Sequence, residues 1–174
     1  NIYDTTPDSN GLSLSDLIPR DDKEQLIHEF TQCRMNERNT STSESAAVFD
    51  STNNKVVVCF RRSNNSYAVV GTISGSTISF GTAVEFLTNR NMSRPVMAFD
   101  SNEGAVIIAY RDDGSGANNY GQAIAGKVSG TSISFGTAST FYSNSIAEVA
   151  IAFDDDTNVF SVFFPEITTG KGAY

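Results

Sequence analysis

From Ala46 onward the chain is a succession of short apolar runs broken by turn residues at intervals of about 8 to 14 positions, the signature of an all-β region. The pattern also returns. Phe49-Asp50, Phe99-Asp100 and Phe153-Asp154 mark the same point of three successive units, separated by 50 and then 54 residues. Seven positions after each Phe stand Val56, Val106 and Phe160, and eleven after it stand Phe60, Tyr110 and Phe164. The second half of the unit recurs as GTISGSTISFGTAVEF (71–86) and GKVSGTSISFGTASTF (126–141), and Tyr67, Tyr120 and Tyr174 align at one shared position. Residues 94–142 form the one complete copy, and the chain stops part-way through its third. A repeat of about 50 residues belongs to a short list of architectures.

Within the complete copy the pattern predicts four strands, at 96–99, 105–111, 120–128 and 132–137, joined by the turn sequences DSNEG, DDGSGANN and Ser129-Gly130-Thr131. Val106–Tyr110 is continuously apolar, as expected of a strand covered on both faces. The fourth strand alternates, with Ile133 and Phe135 on one side and Ser132, Ser134 and Gly136 on the other, which places it at the periphery. A four-stranded antiparallel meander with buried central strands and a half-exposed outer strand is what one blade of a β-propeller requires. A β-solenoid and an open stack of hairpins are the alternatives. The expected fold is therefore all-β with one N-terminal helix, in tandem four-stranded antiparallel blades, propeller-like and incomplete. Two full blades and the first hairpin of a third fall short of the roughly four blades that closure takes. The missing strands are expected from a longer polypeptide, of which this would be a piece or an ordered N-terminal region, or from neighbouring subunits.

Ahead of the repeats the pattern differs. Residues 1–19 are turn-rich, with Leu12, Leu14, Leu17 and Ile18 lacking apolar partners inside the segment. Asp21 followed by Glu24 resembles a capping box, and Leu26, Ile27, Phe30 and Cys33 share a face at helical spacing, so a helix is expected from about 22 to about 38. Arg34 and Arg38 complement the negative end of its dipole. A polar linker, NTSTSES (39–45), follows. The expected organisation is an arm, helix and linker at 1–44, with Leu26, Ile27 and Phe30 as candidate docking residues, and a β-repeat domain at 45–174.

Composition narrows the function. With 174 residues, 39% hydrophobic and 18% charged, the chain is sized for one globular domain. A net charge of -8 argues against a surface that tracks nucleic-acid phosphates, and no apolar run approaches the roughly 18 residues of a membrane span. No signal peptide is visible, and Asn1 in place of Met points to a processed N-terminus or a fragment. Cys33 and Cys59 are expected to pack as small hydrophobes and not to bridge, and no spacing suggests zinc.

Candidate chemistry is sparse. Asp50, Asp100 and Asp154 open oxygen-rich loops in equivalent places, and DDDTN, with Asp154, Asp155 and Asp156, is the best calcium candidate. The competing and favoured reading is a hairpin turn whose leading Asp hydrogen-bonds the backbone while Asn or Gly takes positive φ. Arg61-Arg62 and Arg111-Asp112 follow the second strand, where Arg61 and Arg111 are candidates for an anionic or carboxylated sugar, but the third copy has Pro165-Glu166 there. The set of arginines, paired acid and Tyr nucleophile of a sialidase-type propeller is incomplete, so no catalytic residue is assigned and inter-blade hydrogen bonds are favoured for the arginines. Tyr67 and Tyr120 are candidate stacking surfaces for sugar rings, though recurring aromatics more often serve as packing ridges. His28, the sole histidine, lies on the helix with no partner for acid–base work. Three sequons, at Asn39, Asn64 and Asn91, are of the frequency that a Ser/Asn-rich chain produces by chance. No cofactor is expected.

The units AVVGTISGSTISFGTAVEF, PVMAFDSNEGAVIIAYRD and NYGQAIAGKVSGTSISFGTASTF resemble repeat proteins of tailed bacteriophages and aquatic microbes, in which such repeats run many times over in tail-fibre-like or other surface-exposed structural proteins. The resemblance covers 45–174 and carries no shared catalytic residues. It implies a non-enzymatic structural or appendage protein of a virion or cell surface that assembles with other structural subunits, as a homo-oligomer or larger assembly, or adheres to a host. The alternative is a secreted, lectin-like carbohydrate-binding propeller module, with a cell-surface glycan as partner.

Overall fold

The computed structural model describes residues 42–75, 77–114, 116 and 118–167. The expected arm, the helix with Leu26, Ile27, Phe30, His28 and Cys33, and Tyr174 lie outside the described residues. Among those described there are strands and turns and no helix. Ser74–Ile78 belongs to a different compact unit from the flanking Thr40–Ile73 and Ser79–Tyr174. Within Ser74–Ile78 the Thr77 hydroxyl donates to the Ser74 carbonyl at 2.9 Å, and Gly75 takes a φ of 60° that suits a residue without Cβ.

The first repeat supplies β1 (Thr42–Asp50), β2 (Lys55–Arg62), β3 (Asn65–Ser74), β4 (Thr77–Phe80) and β5 (Val84–Leu87). The second supplies β6 (Met92–Asp100), β7 (Ala105–Asp112), β8 (Tyr120–Ser129), β9 (Ser132–Phe135) and β10 (Ser139–Tyr142). The third supplies the hairpin β11 (Ala150–Asp154) and β12 (Val159–Phe163). All pairings are antiparallel between neighbours in sequence, save that β5 and β10 return to β3 and β8. Each repeat is thus a four-stranded meander whose fourth strand is broken in two. The predicted continuous strand at 132–137 stops at Phe135 and resumes at Ser139. At the break the Gly136 N–H donates to the Ala125 carbonyl, and in the first repeat Gly81 donates to Val70, so the hydrogen bonding is carried across the bend in both copies. The strands at 96–99, 105–111 and 120–128 are found, lengthened to Met92–Asp100, Ala105–Asp112 and Tyr120–Ser129.

Register fixes which residues are equivalent. Phe60 pairs with Tyr67, and Tyr110 pairs with Gln122. Since Phe60 and Tyr110 occupy one position, Tyr67 corresponds to Gln122, and Tyr120, opposite Asp112, corresponds to Asn65, opposite Arg62. The expected equivalence of Tyr67 and Tyr120 is corrected by two positions, because the β7–β8 loop is longer than the two-residue β2–β3 turn and shifts the count. Of the linker expected at 39–45, residues 42–45 begin β1, and 39–41 lie outside the described residues.

β1 packs against β6 and β6 against β11, so the first strands of successive repeats lie side by side. The main core lies between the two sheets. Val57, Cys59, Ala68 and Val70 of the first repeat meet Val106, Ile108, Tyr110 and Ile124 of the second. A second cluster, Ala109, Ile146 and Val149 with Val96, Ile151, Val162 and Phe164, lies between the second sheet and the hairpin. β7 therefore carries Val106, Ile108 and Tyr110 on one face and Ala109 on the other, all 0% exposed. Burying a Val or Ile side chain in this way stabilises the fold by about 1.5–3 kcal/mol each. On β9, Ile133 is buried while Ser132 and Ser134 are exposed, as the alternation predicts.

Candidate functional site

Each sheet has two ends with different chemistry. One end is formed by the first hairpin turns, where Asp50, Asp100 and Asp154 stand at the last position of β1, β6 and β11. Asp50 accepts from the Asn53 backbone N–H at 2.9 Å and from its side-chain amide at 2.8 Å. Asp100 accepts from the N–H groups of Asn102 and Glu103 at 2.9 and 2.8 Å. Asp154 accepts from Asp156 and Thr157 N–H, and from the Thr157 hydroxyl at 2.7 Å. Four positions on, Asn54, Gly104 and Asn158 take φ of 53°, 61° and 57°. Each leading Asp organises its turn, with the left-handed position taken by Asn or Gly. Hydrogen bonds from Thr157, then from its own N–H and that of Asp156, hold the Asp154 carboxyl below its ordinary range. Asp155 accepts from the Ser101 hydroxyl at 2.6 Å, and the Asn102 side-chain amide reaches the Asp155 carbonyl and Asn158 at 3.2 Å. These bonds join the turn of the second repeat to that of the third. Among the described residues, no group of three or more His, Cys, Asp or Glu side chains is placed to hold a metal ion.

The other end is a charged rim. At Glu44 and Arg94 the backbone enters the left-handed region, with φ of 53° and 54°, and the register of β1 and of β6 shifts there. Both are bulges five residues before the Phe-Asp landmark, and the third copy carries Glu148 at that position. The Arg94 N–H donates to Glu44 Oε2 at 2.8 Å, while Arg94 Nη1 lies 3.0 Å from Glu148 Oε1. The three bulge positions thus run as a Glu-Arg-Glu ladder across the repeats. Its side chains are about half exposed, so the ion pair itself contributes little, on the order of 0–1 kcal/mol.

Behind the ladder sit two more ion pairs. Arg111 grips Asp113 through two nitrogens, Nε to Oδ1 at 2.5 Å and Nη2 to Oδ2 at 2.7 Å. Its third nitrogen reaches the carbonyls of Ile146 and Ala147 at 3.5 and 3.4 Å. The hydrogen bond with Asp113 raises the Arg111 pKa further. Burial pushes the Asp113 carboxyl up, but hydrogen bonds from Arg111 and Ser93 and the charges of Arg111 and Arg61 outweigh it and leave it lowered. The fully buried Asp112 carboxylate is paired with Arg90 at 2.9 Å and accepts from the Gly114 N–H at 3.0 Å, as a buried charge must.

Of the candidates, Arg111 is occupied in tying the second repeat to the segment leading into the third. Arg61 lies opposite Ser43 and Ser66, in reach of Asp113 only through space. Tyr67 stacks on Phe60 at 5.8 Å between centroids and lies under the Arg62 guanidinium at 4.3 Å. Tyr120 is half-buried, its hydroxyl accepting from Asn118 at 3.3 Å. Arg61, Tyr67, Arg111 and Tyr120 all stand at this rim end of their strands. In the second repeat the position of Tyr67 is taken by Gln122, which accepts from the Tyr110 hydroxyl at 3.1 Å and donates to Thr140 at 3.3 Å. Burial, and after it the charge of Asp112, moves the Tyr110 hydroxyl to a pKa above its ordinary value. Burial likewise pushes the Cys59 thiol up to about 12, consistent with a packed, unreactive side chain.

The ladder of Glu44, Arg94 and Glu148 and the pairing of the buried Asp112 with Arg90 escape a reading based on residue type. The one signal for the ladder was charge at a constant offset before each Phe-Asp pair. Comparison of the chain with protein-family models, curated proteins and solved structures finds no match.

Proposed function

We propose that the chain is a non-enzymatic structural protein of virion-appendage type, whose propeller-like repeats serve assembly or adhesion to a host surface. One observation carries this reading. The polar groups most suited to chemistry at the rim are already paired: Arg111 with Asp113 and with the Ile146 and Ala147 carbonyls that lead into the third repeat, Arg90 with Asp112, and Arg94 with Glu148 of the third repeat. Side chains used in this way hold a repeat array together. The meander, with its first strand against the first strand of the next repeat, is the arrangement that blades adopt in a propeller. The resemblance of the repeat to phage and aquatic-microbe surface proteins supplies the setting, a virion or a cell surface.

The experiment is fluorescence-labelled chain titrated onto a panel of intact bacteria and a glycan array, alongside a panel of aryl glycosides. Saturable binding to cells of some hosts without glycoside turnover is expected. Turnover of a glycoside, or the absence of binding to any cell in a broad panel, would contradict the proposal, and strong binding confined to free glycans would favour the lectin-like alternative.

A further inference from the structure

We draw no further inference here: the strongest candidate, the exposed apolar surface patch of Val159 and Phe163 on the outer side of the β11–β12 hairpin, carries nothing because nothing in the structure shows what covers it.

Discussion

Gly81 shows how one residue sets the spacing between repeats. A Cβ built at this position would lie 2.0 Å from the Thr131 carbonyl oxygen, which belongs to the β8–β9 turn of the second repeat. The equivalent Gly136 has nothing closer than 3.9 Å. The clashing atom at Gly81 is backbone and cannot swing aside, so Gly81→Ala must push the two sheets apart. Overpacking of this sort costs about 1–3 kcal/mol. Urea unfolding should show that loss for Gly81→Ala and close to none for Gly136→Ala; equal effects at the two sites would refute the assigned contact. Sequence alone marked both glycines equally, as the same letter in the same SFGT motif. Only the stacking distinguishes them. The leading Asp of each turn, by contrast, was legible, because an Asp followed by Asn or Gly at the left-handed position states a turn and its hydrogen bonds locally. The left-handed Glu44 and Arg94 were not legible, since charged residues have no preference for that conformation.

At the scale of the element, β7 and its flanking loop hold the structure together. Continuous apolarity at Val106–Tyr110 announced a strand covered on both sides, and the packing confirms it. The break in the fourth strand was not announced, because Gly136 to Ala138 lie between two stretches that each look extended. The offset between Tyr67 and Tyr120 was hidden for a related reason: hydrogen-bond register decides equivalence, and matching residues by type does not see a longer loop. Arg111 near the end of β7 pairs with Asp113 just beyond it, and that pairing predicts an acid response. The folded Asp113 pKa is lowered below its ordinary value of 3.8. Its contribution to stability is therefore fully present above that value and is lost as the pH falls through the lower, folded one. Arg111→Ala should reduce stability at pH 7 by about 1–3 kcal/mol and flatten the decline of stability below pH 4. Thermal melts across pH 2–7 compare the two chains. A variant as stable as the parent at pH 7, with the same acid decline, would show that the pair does not bind the loop to the third repeat.

For the whole molecule, the central claim is that each repeat depends on the next for one of its faces. Among the described residues two junctions are satisfied, and on the outer side of the β11–β12 hairpin Val159 and Phe163 are exposed. Backbone hydrogen exchange read by mass spectrometry measures this directly, because local opening reports how well each element is covered. The expected result is strong protection of Val106–Tyr110, which is packed on both faces, and weaker protection of Ala150–Asp154 and Val159–Phe163. Equal protection of the hairpin and β7 would contradict the account.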